Sequence, residues 1–542
     1  MEDFTIKEEK KRKAHRKRDK FWKLIFPHSS KSKRNSTKDA KETRTSEQTE
    51  KINTLATYAR THFSVSLEHE LFENILENNQ WEYKKALSDM VDYEEASHGI
   101  LIEPSKDKQK LLGSENDGGT SCYIDALLFA MYIFNTTFDP LLTYDIPPEH
   151  EEKIKLQMVL RLFVNKLRKG HLVHADYVHW FRKVLQDANW QGKDDFGNWS
   201  QEDASELFMF ITEMFELPYL PFQIRLFHGA NKDTDDDRVM TDRALTLSIP
   251  DDVGKIQLQD ILLDYFYNSV ITGVRRNVDL NNIYESVILP PVKKNDTLQK
   301  LPLPQQPEGQ EGITVTAWQV LELLPFYSAT NEQGDSIKTQ LDSSFPDTSL
   351  ILPVVLKRYR YDTLGGSAKI KNRVEIPVTI DFNKFVNQNV DDPMCPTCGH
   401  LINWTLHFRS AVCHKGDSPC SGHYISYARA DVDEPYWLKF DDLNAESRVT
   451  VIQDKNSASI FTDLAENAYI IFYELDKTCR HEPPIDVIER KDVDSKSTTS
   501  TFTDETDTEE QECHCKESKQ KRKHRTDHHH LNHHLSESCN LM

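Results

Sequence analysis

Cys122 lies in the stretch Thr120-Ser121-Cys122-Tyr123-Ile124-Asp125-Ala126-Leu127-Leu128-Phe129. Far downstream come His423, within Gly422-His423-Tyr424-Ile425-Ser426-Tyr427, and then Asp441, within Phe440-Asp441-Asp442. A cysteine, a histidine and a carboxylate in that order are the parts of an activated thiol. A free thiol is mostly protonated at neutral pH, so it needs a base and a field that favours the thiolate. His423 would take the thiol proton and return it to a leaving amine. Asp441 would hold the imidazole in the correct tautomer and orientation. A buried, inert cysteine is the ordinary alternative for Cys122 taken alone. The two later boxes decide against it, and the pattern points to thiol-dependent hydrolysis.

These parts need elements to hold them. Ile124, Leu127, Leu128 and Met131 fall at helical spacing, which predicts a helix beginning at or just before Cys122. That start places the sulfur at the positive end of a helix dipole, which favours the anion. The pattern stays helical to about Tyr219. Leu207, Phe210, Ile211 and Met214 share one face, and Ser200 and Asp203 have capping-box spacing before them. Strand-type alternation dominates from about residue 222, including 244–249, and residues 301–312 form a surface loop. Trp404, Leu406, Phe408 and Ser410 alternate as a strand leading toward His423. Leu67, Leu71, Ile75, Leu76, Trp81, Ala86, Leu87 and Met90 predict two or three short helices within 64–98. These form either a small autonomous module or, the preferred reading, an extension packed on the main domain.

The 542 residues carry a net charge of −20. Residues 1–50 hold 16 Lys and Arg against 9 Asp and Glu, a surplus of seven, which leaves −27 for the remainder. This balance gives no ground for a nucleic-acid partner. Nine cysteines without a small-scaffold framework, and no signal peptide, predict a reduced, intracellular setting. No apolar run reaches membrane-spanning length. The basic tail 1–50 is expected to be disordered. Lys10-Lys11-Arg12-Lys13 and Arg16-Lys17-Arg18, beside Phe21-Trp22-Lys23-Leu24-Ile25-Phe26, suit either nuclear import or an acidic lipid surface. The tail 477–542 is also expected to be disordered, and His528-His529-His530 within it reads as a polar tail. It ends in Cys539-Asn540-Leu541-Met542, a C-a-a-X box of the farnesylation type, although Asn540 is not aliphatic. Residues 516–525 hold six Lys and Arg against one Glu, and Cys513 and Cys515 are candidates for palmitoylation. A lipid plus a basic patch anchors a protein peripherally to a membrane. Cys395, Cys398, Cys413 and Cys420 raise the question of zinc. A strand of about nine residues would part Cys398 from Cys413 by roughly 30 Å, which argues against a four-cysteine site and leaves a smaller one with His400 open.

The boxes around Cys122, His423 and Asp441 resemble those of the ubiquitin-specific proteases, papain-like deubiquitinases of the peptidase C19 type. Gln201-Glu202-Asp203-Ala204-Ser205-Glu206-Leu207 is similar to the family's glutamine box. Leu352-Pro353-Val354-Val355-Leu356-Lys357-Arg358-Tyr359 resembles the strand entering its palm. Trp437-Leu438-Lys439-Phe440-Asp441-Asp442 resembles the box of the triad carboxylate, and Ala468-Tyr469-Ile470-Ile471-Phe472-Tyr473 the closing strand. Asp125, where most members carry Asn, is similar to the cylindromatosis-type branch.

The resemblance covers about residues 112–476 and implies an α+β, papain-like cysteine protease with helical thumb, β-rich palm and β fingers. That domain follows a helical extension (51–111), for which a ubiquitin-associated-like module is the alternative. The implied reaction is hydrolysis of bonds to the C-terminal glycine of ubiquitin, with ubiquitin and ubiquitinated proteins as partners and no cofactor or metal. A catalytically weak ubiquitin-binding scaffold and a protease for another ubiquitin-like modifier remain alternatives. Asp203 and Glu206 are implied to pair with an arginine of the ubiquitin tail. The family's zinc-binding fingers are absent, because no cysteine lies between Cys122 and Cys395. The family's oxyanion-stabilising Asn, five residues before the nucleophile, is here Asp117, which donates no hydrogen bond unless protonated. Asn116, Asp442 and backbone N–H groups are the other oxyanion candidates. Such a donor is typically worth about 2.7–4 kcal/mol. The expected location is cytoplasmic, with membrane anchoring through the tail, and the nucleus is the alternative.

Overall fold

The computed structural model describes residues 45–63, 67–105, 110–228, 236–251, 254–276, 313–326, 328, 350–361, 367–387, 402–430 and 434–479. Three helices precede the Cys122 box: α1 (Ser46–His62), α2 (His69–Asn78) and α3 (Tyr83–Ser97). The first begins five residues ahead of the expected extension (51–111), inside the stretch expected to be tail. Thr45 caps it through a capping box with Gln48. All three bury apolar faces in the same core as the Cys122 helix, so they form a packed extension and not a separate module. Ion pairs reinforce the joint. Asp92 of α3 receives Lys166, Lys169 and His171 from the next layer. Burial alone would raise its pKa. The bond from His171 and the two ammonium groups instead hold it far below the usual carboxylate range.

Four helices build the thumb: α4 (Cys122–Tyr132), α5 (Glu151–Lys169), α6 (Ala175–Asp187) and α7 (Ala204–Met214). Every residue of α4 is buried, as its almost wholly apolar sequence requires of a helix without a solvent face. It packs on α5, on α7 and on the palm strands. The end of α5 is set by Gly170, with φ +74°, where an added Cβ would meet the Lys110 carbonyl oxygen at 2.5 Å. Asp203, not Ser200, caps α7, accepting the Ser205 N–H at 2.7 Å. The capping-box spacing is therefore not used, and Ser200 turns its hydroxyl to Glu202.

Strands begin at Leu220. β1 (Leu220–Phe227), β2 (Asp237–Asp242) and β3 (Leu245–Ser248) come first, and α8 (Leu258–Tyr267) follows. Next are β4 (Ser269–Arg276), β5 (Ile313–Leu323) and β6 (Leu350–Lys357). The order β2-β1-β5-β4 makes the fingers. They are packed without cysteine, on Phe222, Ile224, Leu321, Leu323 and Phe266. The main later elements are β7 (Ile402–Ser418), β8 (Ser421–Ala430), β9 (Tyr436–Phe440), β10 (Val449–Gln453), α9 (Ala458–Asn467) and β11 (Ala468–Cys479). They extend the palm in the order β10-β9-β8-β7-β11-β6-β3. All pairs in that order are antiparallel except β3 with β6.

The result is a helical thumb on a β-rich palm with β fingers, an α+β fold. Among the described residues no helix is long and apolar enough to cross a membrane. The basic run near the N terminus, residues 301–312, Cys395, Cys398, His400, Cys513, Cys515 and Cys539 lie outside the described residues. Cys413 is buried in β7, and exposed Cys420 occupies the turn after it. The 17-residue strand β7 thus lies where the alternation placed it.

Candidate active site

The site sits where α4 meets the palm. Phe129 of α4 stacks on Phe440 of β9, with ring centroids 4.8 Å apart, which ties the cysteine helix to the strand preceding Asp441. The helix begins at Cys122 as the spacing predicts. The electrostatic expectation is reversed, however. Burial first, then the carboxyl groups of Asp442 and Asp125, push the thiol well above its usual pKa. The backbone N–H groups of Tyr424 and Tyr123 pull toward the thiolate and are outweighed. With the residue only 1% exposed, desolvation exceeds what one helix start supplies. The resting thiol therefore keeps its proton and donates it to Gln201 Oε1 at 3.6 Å.

His423 lies on β8, opposite Lys415 of β7, one residue before the Tyr424 amide that faces the sulfur. Its Nε2 is 2.9 Å from Asp441 Oδ1. A carboxylate there fixes the tautomer with the proton on Nε2. Nδ1, buried and without a hydrogen-bond partner, is left as a lone pair. Burial by itself would raise the pKa of Asp441. The bond and charge of His423, with Lys439 and the Leu443 N–H, bring it below its usual value. Asp442 is the more distant carboxylate, 3.9 Å from Nε2.

The oxyanion candidates separate cleanly. The Asp117 carboxylate is taken by His179 Nδ1 at 3.0 Å and Arg182 at 3.2 Å. Gly118 and Gly119 follow with φ +65° and +77°, a turn only glycine makes without strain. That turn leaves Asn116, six residues before the cysteine, to reach the site. Its Nδ2 donates to Asp442 Oδ2 at 2.6 Å.

Asp203 and Glu206 do not stand as equals. Asp203 is 7% exposed, and both its oxygens are engaged, by Ser205 and by the Tyr469 hydroxyl at 2.6 Å. Glu206 is exposed. Burial, then the charge of Asp203, raises its pKa, and Glu202 beside it is raised by burial and by Glu206. A cation arriving there would relieve both.

Two groups were not singled out from sequence. Gln201 holds the resting thiol and donates to the Pro419 carbonyl at 3.2 Å. Its place in the glutamine box was the available signal. His414 packs at a tilt against Tyr424 and bonds the Tyr359 hydroxyl. Burial, then Lys369 and His423, press its pKa down to about 3, so it is neutral. Only the strand pairing of β7 with β8 reveals it.

The family described as ubiquitin carboxyl-terminal hydrolase matches residues 112–473. The human proteins ubiquitin carboxyl-terminal hydrolase 17-like protein 5 and 17-like protein 12 are each 32% identical over 123 residues. That stretch is 23% of this chain and 18% of theirs, so the match spans under a fifth of the relatives' length. Among solved structures, one chain of the SAGA Ubp8/Sgf11/Sus1/Sgf73 DUB module bound to ubiquitin aldehyde is similar. It is 15% identical, with 69% of this chain and 71% of that one covered and a TM-score of 0.42.

Proposed function

This chain belongs to the ubiquitin carboxyl-terminal hydrolase family, and we propose from that premise that it is a deubiquitinase, hydrolysing the bond after the C-terminal glycine of ubiquitin. The observation that carries the reading is the clamped imidazole of His423, on the residue next to the Tyr424 amide that faces the sulfur. Asp441 occupies Nε2, and the buried Nδ1 is left free for the proton of Cys122. As the thiol leaves Gln201 and attacks the glycine carbonyl, Nδ1 takes its proton. The imidazolium then returns that proton to the departing amine, and a thioester to Cys122 remains. Water, deprotonated by the same nitrogen, displaces the thiolate and releases ubiquitin. Asn116, held by Asp442, is the side-chain donor for the oxyanion.

A ubiquitin carrying a thiol-reactive C terminus tests this. Covalent labelling of wild type, and none of Cys122→Ser, is the expected result. Binding without labelling would make the chain a scaffold. Faster labelling by a SUMO or NEDD8 probe would reassign the modifier.

The cysteine box carries Asp125 as in the cylindromatosis-type branch, and we place the chain there. An intracellular location and a prenyl group on Cys539 complete the proposal. Six Lys and Arg within 516–525 support membrane attachment.

A further inference from the structure

Beneath the thiol lie two carboxyl groups that no part of this mechanism requires to be in contact. Asp125, one turn into α4, is 0% exposed, and Asp442 is 4% exposed. Each shifts the pKa of the other, and their hydrogen-bond partners Ser121 and Asn116 come from one short stretch, joined by the Asp117 N–H bond to the Ser121 oxygen. Asp125 Oδ2 accepts the Ser121 hydroxyl at 2.7 Å, and Asp442 Oδ2 accepts the Asn116 amide at 2.6 Å. Asp125 Oδ1 and Asp442 Oδ1 are both buried, and no N–H or O–H of another residue reaches either. Two carboxylates in contact would repel by about 4 kcal/mol at 4 Å and an effective dielectric constant of 20, beyond the cost of burying each charge.

We propose that Asp125 is a positioning residue for this hydrolysis, sharing one proton with Asp442 so that a singly charged acid pair anchors the Asn116 amide. The proposal rests on the deubiquitinase reading above, because it gives the pair a role only at a working thiol.

The direction of each hydrogen bond places the proton. The Ser121 oxygen accepts the Asp117 N–H at 2.8 Å, so its own proton is given to Asp125. Asp125 is thus the acceptor at the centre of the cluster. Asp442, whose Oδ2 is filled by Asn116, keeps Oδ1 for the proton and donates to Asp125. Burial raises both pKa values. Their mutual bond then lowers that of Asp125 and raises that of Asp442, in line with this polarity.

The groups acting on the pair come from every side: Cys122 and Ser121 at the start of α4, Ser114 and Asn116 before it, Arg182 from α6, and His423 and Asp441 from the palm. Arg182 is committed to Asp117 and the Ser200 carbonyl. The remaining charged or titratable neighbours of α4 are otherwise engaged. On α5, Arg161 and Arg168 bond carbonyls near Leu142 and Tyr132. On α7, Asp203 meets Tyr469, and on β7, His414 meets Tyr359. Loss of the shared proton would put a second negative charge beside the sulfur and at 3.9 Å from the imidazole. It would also press the two carboxylates apart and drag Asn116 with them.

An amide at position 125 would donate to an ionised Asp442 and need no proton. Two measurements follow. The first is kcat/KM for release of a fluorogenic amide from the ubiquitin C terminus, as a function of pH, in full-length wild type and Asp125→Asn. Wild type should lose about tenfold per pH unit on an alkaline limb. Asp125→Asn should lose that limb or move it by a pH unit or more, whatever the height of its plateau. An identical limb in both, or a uniform loss at all pH values, would overturn the proposal. The second is the infrared carbonyl band of a neutral carboxylic acid at neutral pH, recorded in the Cys122→Ala background. The band should be present there, vanish in Asp125→Asn and in Asp442→Asn, and disappear on alkaline titration of the unsubstituted pair. If the band is missing, or is insensitive to all three, there is no shared proton. Because the infrared signal needs no turnover, its result stands even if the probe experiment shows that the chain is not a deubiquitinase.

Discussion

His423 can serve as base because one carboxylate, not two, orients it. Asp441→Asn should lower kcat for ubiquitin hydrolysis by on the order of a hundredfold or more, since the wrong tautomer is then allowed. Asp442→Asn should cost under tenfold, because an amide there still donates to Asp125 and still accepts from Asn116. Steady-state kinetics on the two variants decides it, and the reverse order would make Asp442 the orienting group. Cys122→Ala should abolish hydrolysis while ubiquitin binding, followed by calorimetry, survives. The acid pair also has a stability signature. A carboxyl group whose pKa is raised on folding stabilises the native state at low pH and loses that contribution as pH rises from its unfolded value to its folded one. The Tm of Asp125→Asn minus that of wild type should therefore grow from pH 4 toward alkaline pH. Residue types and order made the triad legible in the sequence. The state of the thiol was not, because the helix start at Cys122 is local whereas the burial that outweighs it comes from the assembled thumb and palm.

At the scale of elements, α7 shows how one acidic stretch divides its labour. Asp203 is committed to the helix cap and to Tyr469, and Glu206 faces solvent. Glu206→Lys should raise KM for ubiquitin substrates several-fold with little change in kcat, as loss of uniform binding does. Asp203→Ala should mainly lower Tm, by the loss of a cap worth about 1 kcal/mol and of a buried hydrogen bond. A KM effect of Asp203→Ala as large as that of Glu206→Lys, without loss of Tm, would restore the two as equals. The helical face of α7 was legible from Leu207 and Ile211, but its cap was not, since Ser200 and Asp203 offered an equally well-spaced motif. The extension behaves similarly. Leu71, Ile75 and Met90 announced helices, whereas α1 carries a weaker pattern and is held largely by what it packs on. Asp92→Ala should destabilise the protein by about 3 kcal/mol, because it strands buried Lys166 with only Asp89 as partner. Denaturant unfolding measures this.

For the whole molecule, the change from helices to strands near residue 220 was readable from the periodicities, while the division into thumb, fingers and palm came from the family resemblance. The neighbour relations within the palm were not readable, since sequence order does not say that the last strand pairs with both β6 and β7. The proposed lipid belongs to this scale as well. Cys539→Ser should move the full-length protein from the membrane to the soluble fraction with activity on soluble ubiquitin substrates unchanged. Neutralising the basic residues of 516–525 should weaken attachment in a salt-sensitive way, at about 1 kcal/mol per charge. Equal partitioning of wild type and Cys539→Ser, with an unmodified C terminus by mass spectrometry, would remove the anchor from the proposal.

The place of β11 bears on when the enzyme can first act. It runs between β7 and β6, so the sheet carrying His423 has no centre until residues 468–479 have left the ribosome. Cys122 is made hundreds of residues earlier, with its helix but without a base. A nascent chain halted at residue 467 would expose the edges of β6 and β7, open to pairing with other chains, and would carry a thiol that cannot cut. Synthesis itself therefore times the protease. On the proposed activity, ubiquitin attached to a copy stalled there would not be removed in cis by this active site.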